Sequence, residues 1–211
     1  MFPQTNQIII DFLVWFFNRY IEITATITGL IYLVYSIEGK IQLWFYGIIT
    51  SFLYIIVFFT SGIYADMGIN VYYVIISIYG WYHWKHPGKK DKEELPVSRL
   101  GSAMAFKIII ISVIIWILIA LVLIFFTDSQ IPWYDAFTTA FSITATWMLA
   151  RKILEHWIIW VVVDLASLIL YIYKGLYPTS VLFAFYTVLA IYGYYQWLKL
   201  WKTQKVRQGS S

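Results

Sequence analysis

The chain has 211 residues, of which 61% are hydrophobic and 12% are charged, and its formal net charge is +4. Soluble domains contain roughly 45–50% apolar and about 25% charged residues. The composition therefore excludes a water-soluble globule and predicts an all-α protein that crosses the membrane several times. Because the sequence has no cysteine, disulfides, thiolate metal ligands and cysteine nucleophiles are excluded as well.

The N-terminal segment does not resemble a cleaved signal peptide. Residues 1–7 carry no Lys or Arg, and no small-x-small cleavage pattern follows the next apolar stretch. That stretch, residues 8–17, is too short to cross about 30 Å of hydrocarbon. We therefore expect residues 1–19 to form an extracytoplasmic segment that lies at the membrane interface or packs on the bundle.

Seven later stretches have the length and apolar character of a transmembrane helix, which needs about 20 residues. They are residues 20–37, 42–60, 64–84, 105–126, 134–150, 155–173 and 178–198. Residues 85–104 are charged and broken by Pro and Gly, so they are predicted to form a solvent loop. Residues 201–211 are predicted to form a polar tail.

The basic residues divide unevenly between the two sides of the membrane. Seven spans place 13 Lys and Arg residues on one side and only Arg19 and Lys174 on the other. Cytoplasmic loops carry the excess of Lys and Arg. The C-terminus is therefore predicted to be cytoplasmic and the N-terminus external. The net charge is explained by this topology, so nucleic-acid binding is not expected.

The sequence repeats itself at an offset of 113 residues. The matched pairs include Trp44 with Trp157, Gly62 with Gly175, Tyr73 with Tyr186, Gly80 with Gly193, and Trp84 with Trp197. Two three-helix repeats, 20–84 and 134–200, are thus predicted on either side of a linker helix at 105–127. Because equivalent helices are four crossings apart, the repeats run parallel, as in SWEET-type transporters. Such a 3+1+3 arrangement is typical of a transporter that binds its substrate between the halves.

Three residues of the sixth span point to a binding site. Trp157, Trp160 and Asp164 have the spacing i, i+3 and i+7, which places them on one face of a helix. A carboxylate at this depth costs about 2.5–3.5 kcal/mol, so it should face the bundle interior, either protonated or paired. It either binds a cation or hydrogen-bond donor of a ligand beneath the two indoles, or forms a neutral contact with another helix.

The third span contributes Asn70 and Tyr73 at helical spacing. An amide both donates and accepts hydrogen bonds, which suits a carboxamide or a pyrimidine edge, although Asn also commonly joins helices in membranes. In the repeat, Asn70 falls on Phe183 and Asp164 falls on Ser51. The helices of the two halves repeat, but the polar residues of the predicted site do not. This difference favours one asymmetric ligand.

Further aromatic residues are expected to complete the site. Trp44 and Trp147 are candidates, together with Tyr186, the counterpart of Tyr73 in the repeat. Stacking and cation–π contacts of about 0.5–2 kcal/mol each would favour a flat cationic ring. The alternative for any of these rings is a position facing lipid or the membrane interface.

Catalytic, metal and cofactor sites are not predicted. His83, His86 and His156 lack ligand-like spacing, and the sequence contains no ATP-binding loop. An intramembrane enzyme that uses Asp164 as acid or base is an alternative class. It would need a second catalytic group at the same depth, and the sequence shows no such constellation.

Several motifs together resemble the PnuC family of bacterial vitamin transporters over about residues 20–202. They are Tyr64-Ala65, Tyr79-Gly80-Trp81-Tyr82 with Trp84, the pair Trp157 and Trp160, and Lys174-Gly175-Leu176-Tyr177. The resemblance implies a 3+1+3 fold related to SWEETs but differently connected, and a homotrimer. It also implies facilitated diffusion of nicotinamide riboside across the bacterial inner membrane. A cytoplasmic kinase would then trap the vitamin by phosphorylation.

The sequence departs from that family pattern at two positions. Nicotinamide riboside carriers tend to have Asn where this chain has Asp164, and Gln where it has Asn70. A carboxylate can pair with a cation or an aminopyrimidine, and the family includes thiamine carriers. Nicotinamide riboside is the first expectation for the substrate, and thiamine is the alternative.

Overall fold

The structure is a computed structural model that describes residues 3–62, 64–87 and 95–209. Residues 88–94 of the predicted cytoplasmic loop lie outside this range. The described chain forms seven α-helices, numbered in chain order. They are α1 (Pro3–Glu38), α2 (Gln42–Thr60), α3 (Tyr64–Lys85), α4 (Ser102–Phe126), α5 (Pro132–Ala150), α6 (His156–Tyr173) and α7 (Tyr177–Gly209).

The helix boundaries agree with the predicted ones to within a few residues, except at two ends. Helix α1 begins at Pro3 and runs without a break through the segment that we expected to be separate from the first span. Helix α7 continues to Gly209, although a polar tail was predicted from residue 201. Both extensions lack internal proline and glycine, so nothing in their backbone chemistry ends the helix. The interfacial position of residues 1–19 stays a prediction.

Five of the described helices are long and apolar enough to cross a membrane, namely α1, α2, α4, α6 and α7. Helices α3 and α5 carry more polar residues. About half of α5 is buried, including Ser142, Thr144 and Thr146. A helix enclosed by protein does not need an apolar surface toward lipid. Helix α4 shows the opposite pattern. It has 25 residues, and only Ile108, Ser112 and Ala120 are buried.

The helices group into two compact units, residues 1–36 with 40–81 and residues 37–39 with 82–211. In the first unit, Thr50 of α2 donates a hydrogen bond to Thr28 of α1 at 2.9 Å, and Tyr35 stacks on Tyr46. In the second unit, α4 packs on α5, α5 on α6 and α6 on α7. The second unit is therefore a continuous run of four packed helices.

Two turns that are 113 residues apart have the same backbone geometry. Gly39 has φ 67° and Lys152 has φ 55°, so both adopt the left-handed conformation. At each turn the next residue closes the helix end with a hydrogen bond to a carbonyl five residues earlier, and both N···O distances are 3.0 Å. The left-handed conformation is unfavourable for a non-glycine residue such as Lys152. The offset found in the sequence thus reappears in local structure.

A tryptophan packed directly on a glycine is the second local feature that repeats. A Cβ built on Gly193 would lie 2.6 Å from the indole of Trp157, and one built on Gly80 would overlap Trp44 in the same way. Both indoles are buried, with Trp44 at 0% and Trp157 at 2% exposure. The glycines are needed here because the ring occupies the space of a side chain.

The segment before α4 is fixed to the turn between α5 and α6. Ser98 forms a parallel bridge with Ile153. The Arg99 guanidinium lies 3.0 Å from one Glu155 carboxylate oxygen, and the Leu100 N–H donates to the other at 2.9 Å. These contacts hold the end of the α5–α6 pair at which α5 finishes and α6 begins.

Candidate functional site

A cavity of about 330 Å³ lies within the second unit. Its walls are formed by the residue before α5 and by side chains of α5, α6 and α7, and small-molecule sites have volumes of roughly 300–1,000 Å³. Three predicted site residues, Trp160, Asp164 and Tyr186, line this cavity. The structure therefore brings together part of the predicted set around one cavity.

Asp164 lies halfway along α6 and faces the cavity. It is 7% exposed, and its carboxylate makes no hydrogen bond or ion pair within the described part of the chain. The contact with a neighbouring helix, which was the structural alternative, is not made among these residues. Because burying a polar group without a partner is costly, the geometry favours a ligand that supplies the missing partner.

Aromatic rings form much of the remaining wall. Trp160 is one helical turn from Asp164 and lines the same cavity. Tyr171 of α6 stacks on Phe183 of α7 with ring centroids 5.3 Å apart. Phe183 in turn meets Tyr186 edge-on at 5.9 Å. A cavity lined by both a carboxylate and aromatic rings suits a flat cation, which can gain both Coulomb and cation–π stabilisation.

The cavity extends to the ends of its helices. Ile131, Asp135 and Lys174 line it where α5 begins and α6 finishes, and we call these three residues the rim. Lys174 is ten residues beyond Asp164, which corresponds to roughly 15 Å along a helix. At the rim, the Ser129 hydroxyl donates to Oδ2 of Asp135 at 2.7 Å. The described site thus has one carboxylate at the rim, that of Asp135, and another halfway along α6, that of Asp164.

Trp157 and Trp147 are not among the residues that line this cavity. The Trp157 ring lies on Gly193, with the His156 ring centroid 4.7 Å and the Trp197 centroid 6.2 Å away. Trp147 packs against the apolar cluster around Met148. The structure gives both indoles packing contacts, and their role in ligand binding stays a prediction.

The other predicted residues, Trp44, Asn70 and Tyr73, belong to the first unit. Asn70 is 9% exposed, and its side-chain amide donates to the Asp66 carbonyl one turn earlier at 2.8 Å. The Tyr73 ring centroid lies 5.7 Å from that of Tyr72. Ligand binding by these three residues is likewise an untested prediction.

The sequence matches the family described as Nicotinamide mononucleotide transporter over residues 19–199. The chain belongs to the PnuC family. It is 26% identical over 203 residues to "Nicotinamide riboside transporter PnuC" of Escherichia coli K12, and the alignment covers 85% of each chain. It is also 23% identical to "Riboflavin/roseoflavin transporter RibM" of Streptomyces davaonensis, with 83% of each chain covered.

A solved PnuC structure has the same fold. The crystal structure of "the Vitamin B3 transporter PnuC" superposes with a TM-score of 0.69 at 26% identity, covering 92% of this chain and 88% of the other. The expected family and its all-helical membrane fold are therefore confirmed. The family is one of transporters, in agreement with the function class predicted from the internal repeat.

Several polar residues of the cavity wall in this PnuC-family chain were not among the predicted site residues. They are Tyr134, Thr138 and Ser142 of α5, and Ser167 and Tyr171 of α6. The three on α5 are spaced by four residues, so they form one polar stripe along that helix. Such a stripe in an otherwise apolar span was the signal that could have identified them.

The cavity wall also differs between the repeats. The counterpart of Trp160 at the offset of 113 is Gly47. A Cβ on Gly47 would lie 3.0 Å from the Ser77 hydroxyl and 3.2 Å from the Tyr32 ring. The first unit therefore packs side chains closely at the position where the second unit places an indole against a cavity.

Proposed function

We propose that this chain carries nicotinamide riboside across the bacterial inner membrane by facilitated diffusion, without chemical conversion. The observation that carries the proposal is the unpaired Asp164 carboxylate in an aromatic-walled cavity. Membership in the PnuC family and the names of the relatives support the substrate class. Trapping by a cytoplasmic kinase is the expected driving force, because diffusion alone only equalises the two sides.

The chemistry of nicotinamide riboside fits the lining of the cavity. Its pyridinium ring is flat and cationic, so it can stack on Trp160 and pair with Asp164. Its ribose hydroxyls can bond to hydroxyl groups such as those of Thr138, Ser142 and Tyr134. A neutral ring would gain stacking but no Coulomb attraction from the carboxylate.

Thiamine is the second candidate, and the identity of residue 164 favours it. A carboxylate accepts hydrogen bonds from an aminopyrimidine and pairs with a thiazolium cation. Asp164 could make either contact, whereas it cannot donate to a carboxamide oxygen when ionised. Both vitamins carry a cationic ring, so the charge of the site fits each of them.

For the architecture, we propose seven spans in a 3+1+3 order with parallel repeats, as in SWEET-type transporters. The repeated left-handed turns and the repeated Trp–Gly contacts support this arrangement. The distribution of basic residues supports a cytoplasmic C-terminus and an external N-terminus. The rim would then face the outside. A homotrimer is proposed by analogy with the family.

The proposed function is tested with purified protein in liposomes that contain no ATP and no ion gradient. Nicotinamide riboside should enter down its gradient, and preloaded unlabelled vitamin should accelerate uptake of labelled vitamin by counterflow. Thiamine is measured in parallel. Uptake of neither vitamin, or appearance of a chemically altered product, would contradict the proposal.

The structure also predicts different roles for two neighbouring indoles. Trp160→Ala should weaken vitamin binding by at least about 1 kcal/mol, because the lost ring lines the cavity. Trp157→Ala should chiefly lower thermal stability, because truncating a buried Trp costs about 3–5 kcal/mol. Calorimetric titration and thermal unfolding of both variants separate these effects. A Trp157 variant that folds normally but no longer binds would place that ring in the site.

A further inference from the structure

We propose that Asp135 is a specificity-determining residue that attracts the cationic substrate at the rim before it reaches Asp164. This inference rests on the proposed function. The two carboxylates line one cavity, one where α5 begins and the other halfway along α6. A cation that enters from the rim would meet Asp135 first.

The Asp135 carboxylate is oriented by its surroundings. Oδ2 accepts the hydrogen bond from Ser129, and the oxygen of that same hydroxyl accepts the Ile131 N–H at 3.3 Å. One carboxylate oxygen therefore has a fixed partner, and no described residue hydrogen-bonds to the other, which is available to a ligand. Asp135 also lies in the first turn of α5, where the helix dipole favours a negative charge.

The inner carboxylate shows that this cavity is suited to a cation. Asp164 is nine-tenths buried, faces the cavity and has no partner among the described residues. A negative group at the rim lowers the electrostatic barrier for a cation that approaches such a site. Lys174 has the opposite effect, because it places a positive charge at the same rim.

The two rim charges therefore predict effects of opposite sign on the association rate. We expect Asp135→Asn to slow association of nicotinamide riboside about three- to ten-fold at roughly 10 mM salt, where charges act over about 30 Å. Lys174→Gln should accelerate it. Both effects should fade toward 1 M salt, where the screening length is about 3 Å. Dissociation rates should change little, since rim charges act mainly on association.

The measurement is stopped-flow tryptophan fluorescence of the full chain in a nonionic detergent. Asp128→Asn is the matched control, because Asp128 lies on the loop that precedes α5, is exposed and is not among the cavity-lining residues. That variant should slow association less than Asp135→Asn does, because its charge lies outside the cavity. Asp135→Glu keeps the charge and should retain the salt dependence of the wild type, which separates charge from folding defects.

Equal association rates for Asp135→Asn and Asp128→Asn at low salt would overturn the inference. An equal slowing of neutral nicotinamide by Asp135→Asn would do the same, because it would indicate a steric rather than an electrostatic effect. If the wild-type protein binds no cationic vitamin at all, the proposed function fails together with this inference. Normal binding by the wild type with unaltered rates in both rim variants overturns the inference alone.

Discussion

Replacing Gly193 by alanine should lower the thermal stability of the protein markedly. The added Cβ would lie 2.6 Å from the Trp157 indole, and real contacts of this kind are essentially never so short. Either the buried ring or helix α7 must move. Overpacking of this type costs about 1–3 kcal/mol and sometimes more. The loss is measured as the shift of the unfolding midpoint in detergent, and Gly80→Ala should give a similar loss through Trp44.

Gly68→Ala provides the control for this experiment. Gly68 is also a helical glycine, in α3, but a Cβ built there meets no atom of another described residue within 4 Å, apart from the backbone of its own helix turn. Alanine is favoured over glycine in a helix by about 1 kcal/mol. Gly68→Ala should therefore leave the midpoint unchanged or raise it. Equal midpoints for Gly193→Ala and Gly68→Ala would show that the Trp–Gly contact does not contribute to stability.

The positions of the helices could be predicted from sequence because lipid imposes a simple rule. A span must be about 20 residues long and mostly apolar, and glycine or charged residues mark the turns between spans. The two extended helix ends were missed for a related reason. Residues 8–17 are too few to span the membrane by themselves, and residues after 198 are polar, but neither property ends a helix.

The cavity could be predicted only in part. Asp164 was recognisable because a carboxylate in the middle of a span is costly, and Trp160 followed from helical spacing. The same spacing also included Trp157, which the structure places on Gly193. A helical stripe identifies a face but not the depth at which that face changes from packing to cavity. This depth depends on side chains of neighbouring helices, such as Phe183.

Asp164→Asn should weaken binding of a cationic vitamin about ten- to hundred-fold. The substitution keeps the size of the side chain but removes its charge, and hydrogen bonds to charged groups contribute about 1.5–3 kcal/mol. The unliganded variant should be at least as stable as the wild type, because it no longer buries a carboxylate without a partner. Lower affinity combined with unchanged or higher stability is the signature of a binding residue rather than a structural one.

The same variant should also distinguish the two candidate vitamins. An amide can donate a hydrogen bond to the carboxamide oxygen of nicotinamide riboside, which a carboxylate cannot. Nicotinamide riboside should therefore lose less affinity than thiamine, which loses its anionic partner without a new contact. Calorimetric titration of wild type, Asp164→Asn and the exposed-charge control Asp128→Asn measures both ratios. Unchanged affinity for both vitamins in Asp164→Asn would remove Asp164 from the site, because the variant lacks the charge that would pair with either cation.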